Sequence, residues 1–272
     1  MLYKFKNQLI ERSTVLTMAI INLTDDSFYA LSRVLATWSD GDPFPEQYFC
    51  QRVSMALKQG ADIIDLGACS TRPGSTPVDP ITEWQRMQPA LQIMKSRYPK
   101  VPLSVDTFYP STVARLDDYG VDIVNDVTGG DTDMYEQVAK HRFTYVLTHN
   151  TPLGNEADVV DYFQARLDRL HRTGVTDVWL DPGFGFGKQT QECYSMLDFV
   201  AVLRQIFDEP ILAGISRKRM TYEPTHTTAR RSLPATIACN TIAMMQGADI
   251  LRVHDVEQTR QAIKVFEAFK DV

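Results

Sequence analysis

The chain has 272 residues, 44% of them hydrophobic and 23% charged, which is enough apolar material for a full core and unlike a disordered tail or a small disulfide scaffold. Lys and Arg number 28 against 34 Asp and Glu, a net charge of −6, so non-specific adhesion to nucleic acid or an anionic membrane is not expected, and any anionic ligand has to be met by a local basic cluster. There is no run of about eighteen apolar residues, and the opening MLYKFK leads into polar sequence instead of a signal peptide's apolar stretch, so the expectation is a soluble cytoplasmic protein without membrane or nucleic-acid partners.

Along the chain, short β-branched runs alternate with longer amphipathic stretches. The expected strands are Val15–Ile21, Asp62–Leu66, Pro102–Val105, Asp122–Val124, Thr144–Leu147, Val178–Leu180, Pro210–Gly214 and Asp249–Val253. Helical patterning falls at Ile81–Arg97, Val159–Thr173, Tyr194–Phe207, Ala229–Gln246 and Glu257–Phe269. Gly60, Gly120, Gly174 and Gly247 each stand just ahead of a strand, where a helix should stop. Repeated βα units with eight strands predict one (β/α)₈ barrel over residues 1–272, an α/β fold with parallel strands and an outer ring of helices. A doubly wound open sheet is the alternative, although no G-x-G-x-x-G follows the first strand. Cys50, Cys69, Cys193 and Cys239 form no C-x-x-C pair, as unpaired thiols in a reducing compartment would not, and a zinc site is not expected.

In such a barrel the carboxyl ends of the strands converge on one pocket. Here every end is polar: Asn22; Asp65 and Ser70-Thr71-Arg72; Asp106; Asn125-Asp126; His149; Asp181; Ser216-Arg217-Lys218; and Arg252 with His254. Asp106, Asn125 and Asp181 have the donors and acceptors to follow the edge of a flat, nitrogen-rich ring, though each is also of a type that caps a following helix. Arg72, Arg217, Lys218, Arg219 and Arg252 gather cations at the same end and suggest an anionic, phosphorylated ligand, the other reading being a solvated charged loop. The run from Asp181 to Lys188 is glycine-rich but lacks Walker spacing, and Lys188 reads more readily as a surface residue than as a pocket cation.

Several segments together resemble the dihydropteroate synthase family: Ile21-Asn-Leu-Thr-Asp-Asp-Ser-Phe28, Gly60-Ala-Asp-Ile-Ile-Asp-Leu-Gly67, Ser70-Thr-Arg-Pro-Gly74, Ser104-Val-Asp-Thr107, Asn125-Asp126, Leu180 to Lys188, Ser216-Arg-Lys218 and Arg252-Val-His-Asp-Val256. The resemblance implies a pterin-binding barrel that joins hydroxymethyl-dihydropterin pyrophosphate to p-aminobenzoate with release of pyrophosphate. It implies that Asp106, Asn125, Asp181 and Lys218 hold the pterin beside Phe186. Asn22, Arg252 and His254 would form the pyrophosphate site, with Asn22 helping to hold Mg²⁺. Thr71, Arg72 and Pro73 would belong to a covering loop, and Ser216 with Arg217 would receive the p-aminobenzoate carboxylate. A homodimer is implied as well.

The chain departs from the family's pattern in its first loop. Asp25 and Ala30 replace the usual Pro and Asp, and Ser39-Asp-Gly-Asp42 follows an apparent insertion, Tyr29–Trp38, so that Asp40 is the candidate substitute carboxylate. Cys69 stands where the family usually has Glu, and Thr148-His149-Asn150 replaces a Met-rich motif. Rival readings are a pterin-binding methyltransferase barrel, an aldolase-type lyase with Lys218 as Schiff-base amine, and a binding-only paralogue.

Overall fold

The computed structural model describes residues 2–5, 8–11, 14–23, 43–69 and 76–270. The expectations for Asp25, Ala30, Asp40 and the 29–38 insertion, and for Thr71, Arg72 and Pro73, lie outside the described residues.

An antiparallel hairpin, β1 (Leu2–Phe5) and β2 (Gln8–Glu11), precedes eight parallel strands: β3 (Leu16–Asn22), β4 (Ile63–Gly67), β5 (Leu103–Asp106), β6 (Ile123–Asp126), β7 (Thr144–Thr148), β8 (Val178–Asp181), β9 (Leu212–Ala213) and β10 (Ile250–Val253). Their order is β8-β7-β6-β5-β4-β3-β10-β9, and a Leu180–Ile211 bridge between the two ends brings the sheet round into a barrel. The predicted strands are all present. Most run one residue further toward the carboxyl end than predicted, so Asn22, Asp106, Asp126 and Asp181 are strand residues and their direction is set by the pleat instead of by a loop.

The helices are α1 (Glu46–Lys58), α2 (Pro80–Arg97), α3 (Pro110–Val113), α4 (Thr132–His141), α5 (Glu156–Thr173), α6 (Thr190–Ile206), α7 (Arg219–Tyr222), α8 (Leu233–Met245) and α9 (Val256–Lys270). Local chemistry fixes their ends. Asp79 caps α2 by accepting from the amides of Ile81 and Thr82, with Pro80 at the first helical position. Asn155 and Asp158 form a capping box on α5. The four predicted stop glycines, Gly60, Gly120, Gly174 and Gly247, adopt φ of 99°, 73°, 100° and 104°, left-handed values that favour glycine. The stretch expected as one helix from Ala229 to Gln246 is broken at Ser232 into a short 3₁₀ turn, Ala229–Arg231, and α8, with Pro234 in the first turn of the longer piece.

Period-two alternation divides the buried residues into two sets. Leu16, Met18, Ile63, Ile123, Val146, Trp179, Leu212 and Ile250 fill the barrel's interior, while Leu66, Val105, Val124, Leu147, Leu180 and Leu251 face the helices. Burial of each such side chain contributes about 1.5–3 kcal/mol. The hairpin closes the floor, where Tyr3 meets Trp179 edge-on with centroids 6.4 Å apart and belongs to the interior cluster. With apolar layers below, most of the next inward positions toward the carboxyl ends are polar, Ile20 on β3 and Gly214 after β9 excepted, and the polar ones line the mouth.

Candidate active site at the barrel mouth

Register alone assembles the first row. Asn22 pairs with Gly67, Gly67 with Asp106, and Asp106 with Asn125, so four neighbouring strands present these residues on the same inward face. A Cβ on Gly67 would lie 3.5 Å from both Asn22 Oδ1 and Asp106 Cβ, so glycine leaves open a gap that these two side chains flank. Asp106 and Asn125 are 7% and 2% exposed.

One turn of the pleat below, Asp65 faces inward and takes part in a buried ionic bracket. Arg252 donates from Nε to Asp65 Oδ2 at 2.8 Å and from Nη2 to Asp106 Oδ2 at 2.6 Å, while Ser104 Oγ donates to Asp65 Oδ1 at 2.6 Å. Burial works against the charge on Arg252, but Asp65 and then Asp106 outweigh it and hold the guanidinium cationic. Burial raises the Asp106 pKa against the opposing pull of Arg252, with Asp65 adding to the rise. Its second oxygen, Oδ1, is buried and has no hydrogen-bond partner, an unmade bond of the kind that a ligand donor satisfies. Arg252 was expected on the pyrophosphate; here two of its guanidinium nitrogens are committed to carboxylates, which makes it first an organiser of the acidic centre.

Across the barrel, Asp181 is in register with Thr148. Its Oδ1 accepts from the Gly183 amide at 2.7 Å, and a Cβ on Gly214 would lie 3.7 Å from Asp181 Oδ2 and 3.8 Å from Lys218 Nζ, so the carboxylate and the ammonium face each other over that glycine. Burial raises Asp181 and pulls Lys218 down to about 8, each opposing the other's shift. Lys218 Nζ donates to the Phe184 carbonyl at 2.6 Å and lies 4.4 Å from the Phe186 ring centre. Thr148, whose buried Oγ1 has no partner, faces inward beside Asp181; only its strand phase, two residues after Val146, could have singled it out.

The rim differs from expectation. His254 lies beyond β10, and Ser216 Oγ lies 3.1 Å from its Nδ1 and accepts from its backbone amide at 3.3 Å. The hydroxyl and Nδ1 share one hydrogen bond whose direction follows the ring's tautomer. Burial and then the charges of Arg252, Arg217, Lys218 and Arg52 hold its pKa down at about 3, so the ring is neutral at physiological pH.

Arg217, with φ 56°, is 3% exposed. It forms a two-point pair with Asp255, both bonds 2.8 Å, and donates to the carbonyls of Ala229 and Arg230. Arg217 therefore locks the 216–232 segment to the start of α9, and its guanidinium, expected at the carboxylate shelf with Ser216, is also engaged by protein acceptors. Arg219 is likewise engaged outside the mouth, with Glu223 at 3.1 Å and Gln189 at 2.8 Å.

Other residues marked at strand ends do not point into the mouth. Asp126 accepts from Tyr145 Oη at 2.8 Å and from the Thr128 amide at 2.7 Å, organising its own turn. His149 packs against Tyr162 and Phe163 at centroid distances of 4.6 and 6.0 Å, and burial lowers it to about 4. Lys188, read as a surface residue, is 8% exposed and caged by carbonyl groups. Glu83 on α2 had no signal beyond helical phase; its Oε2 accepts from Thr107 at 2.8 Å and Thr112 at 2.6 Å, tying α2 to the loop that leaves Asp106, and burial raises it to about 6.

A cavity of about 410 Å³ adjoins the mouth, bordered by Phe186, Lys218, Thr190, Cys193, Arg219 and Tyr222. Among the described residues no group of three His, Cys, Asp or Glu side chains is arranged to hold a metal, and no helix is long and apolar enough to cross a membrane.

Comparison with known proteins shows what the whole chain is similar to. The pterin binding enzyme family profile matches residues 18–254. The chain is 34% identical over 266 residues to the dihydropteroate synthase of Escherichia coli (strain K12), covering 92% of this chain and 90% of that protein. Against the Streptococcus pyogenes dihydropteroate synthase it is 33% identical over 259 residues, covering 91% and 93%. Among solved structures, the Yersinia pestis dihydropteroate synthase in a sulfonamide drug complex superposes with TM-score 0.88 at 30% identity, covering 100% and 99% of the two chains. The Thermus thermophilus dihydropteroate synthase in complex with 4-aminobenzoate gives TM-score 0.84 at 30% identity, covering 98% and 99%.

Proposed function

Because this chain belongs to the dihydropteroate synthases, within the pterin-binding enzymes, we propose that its barrel mouth joins hydroxymethyl-dihydropterin pyrophosphate to p-aminobenzoate and releases pyrophosphate. The observation that carries this reading is the buried, unpartnered Asp106 Oδ1 in one row with Asn125 and Asn22. A pterin offers ring N–H and amino donors to Asp106 and Asp181, and Asn125 supplies both a donor and an acceptor.

The carbon–oxygen bond to pyrophosphate breaks with its electron pair leaving on oxygen, and the electron-rich pterin delocalises the positive charge left on the methylene carbon. Asp106 and Asp181, fixed in place before the reaction, stabilise that cation electrostatically. The aryl amine then attacks through its nitrogen lone pair and loses a proton, which needs no strong base. Neutral His254 stands at the rim beside Ser216, where an imidazole N–H can donate to the departing anion, and Lys218 lends positive charge between the ring and the second substrate. The 410 Å³ cavity beside Lys218, with Phe186 and Tyr222 as walls, suits a flat aryl carboxylate. Lys188, Lys218 and Arg219 are the cations that border it.

The donor chemistry at the mouth fits Mg²⁺ through the hard, uncharged Asn22 oxygen beside Gly67, since Mg²⁺ is commonly held by one or two protein oxygens together with substrate phosphates. When bound, Mg²⁺ supplies neutralisation of the pyrophosphate charge. Asn22 orients the metal-bearing end of the substrate in this reading.

Pairing into a homodimer is proposed through the outer face of α8, where Ile242 and Met245 are 42% and 64% exposed. A cytoplasmic location is proposed on the four free cysteines. The test of the activity is pyrophosphate release on mixing the pterin pyrophosphate, Mg²⁺ and p-aminobenzoate. Turnover with formation of the joined product is expected; binding of the pterin without release would convert the reading to a binding-only paralogue. Borohydride with a carbonyl substrate is expected to trap no adduct on Lys218.

A further inference from the structure

The glycine-rich run after β8 serves the mouth through its backbone. The Gly183 amide holds Asp181, the Phe184 carbonyl holds Lys218 Nζ, and the Phe186 ring lies against that ammonium. The run itself has few side chains to anchor it. A Cβ on Gly183 would lie 1.9 Å from the His149 carbonyl oxygen, so the loop presses on the end of β7 where no side chain fits. Lys188 supplies the anchor: its Nζ donates to the carbonyls of His149 at 2.7 Å, Gly183 at 3.2 Å and Phe186 at 3.2 Å. An ammonium has three donors, and all three are used, two within the loop and one on the neighbouring strand end. Burying a charge against neutral carbonyls is costly, and an apolar residue of similar size would serve a purely packed core at lower cost.

We propose that Lys188 is a positioning residue for the ring-binding pocket: it sets the 182–187 loop so that Asp181, Lys218 and Phe186 meet the pterin together, and it adds a positive charge behind Asp181. The inference rests on the reading of the mouth as a pterin site. Lys218 from the β9 loop, Arg252 from β10 and Lys188 are the cations that act on Asp181, and each favours its ionised form. Asp181, Cys193, Lys218 and Glu192 surround Lys188 in turn.

The experiment uses the full chain with Lys188→Met and Lys188→Arg, pterin binding by fluorescence titration, and kcat/KM for the pterin substrate against pH. Lys188→Met is expected to weaken pterin binding by about tenfold or more. It should also move the acid limb of the profile upward by roughly half a pH unit, because Asp181 loses a nearby cation and its carboxyl stays protonated to higher pH. Lys188→Arg keeps the charge and should restore the acid limb, which a merely structural role does not predict. Should Lys188→Met fail to fold, Lys188→Gln, with two donors and no charge, is read in the same way. A wild type that binds pterin, beside a folded uncharged variant that binds it equally with an unmoved acid limb, overturns the inference alone. A wild type that does not bind pterin overturns the reading of the pocket, and this inference with it.

Discussion

The acidic centre and the cationic rim of the mouth were equally conspicuous as residue types, yet the fold treats them differently. At the centre, Asp65, Asp106, Asn125 and Asp181 lie on strands, and the pleat turns them inward where their identities suggest they belong. At the rim, Arg217, Lys218 and Arg219 follow one another in a loop and go three ways: to Asp255, to the Phe184 carbonyl beside Asp181, and to Glu223 at the surface. A cluster of cations in sequence is therefore not a cluster of available charge, because each guanidinium takes the nearest acceptors that the fold provides.

Five measurements put that contrast at risk. Asp106→Ala should have the largest effect, lowering kcat/KM about a thousandfold, or about 4 kcal/mol, since it removes both the open acceptor and one arm of the Arg252 bracket; steady-state kinetics reads it. Asp65→Ala should cost about 3–5 kcal/mol of folding stability in denaturant titration, because it leaves Arg252 with half its partners in a buried site. Arg217→Met should cost about 3 kcal/mol in the same assay while leaving the KM for p-aminobenzoate within about twofold; a large rise in that KM with stability retained would show Arg217 acting as the carboxylate shelf.

Glu83 gives a smaller, pH-dependent effect. Its pKa is raised by burial from 4.5 to about 6, so between those values the folded protein binds more protons than the unfolded chain and stability falls as pH rises. Relative to Glu83→Gln, the wild type should lose about 2 kcal/mol across that window, measured as denaturation midpoints at a series of pH values. Arg219→Ala should be the smallest, under about 1 kcal/mol, because its pair with Glu223 is about half exposed on both sides. A larger loss there would mean that the rim cations act as a unit after all.

Periodicity and turn chemistry made the barrel legible from the amino acids alone. Runs such as Ile-Ile-Asp-Leu-Gly carry the alternation of an inward and an outward face, and glycines ahead of strands mark helix stops through a left-handed backbone that other residues adopt only at a cost. Convergence of the strand ends made Asp106, Asn125 and Asp181 candidates for one pocket; that the pleat turns them inward followed only once the strands were seen to extend through them. The floor hairpin was not legible, since Tyr3 becomes a plug only when Trp179 and Ile250 surround it. Nor were the engagements of Arg217, Arg252, Lys188 and Glu83, which depend on partners tens to hundreds of residues away or on carbonyls whose positions exist only once the loops are folded. Residue order specified the repeating βα frame and the inward polar ring, both set by neighbours along the chain. The tertiary structure decided which charges were neutralised and which stayed open to a substrate, because partner choice is settled by distance in space.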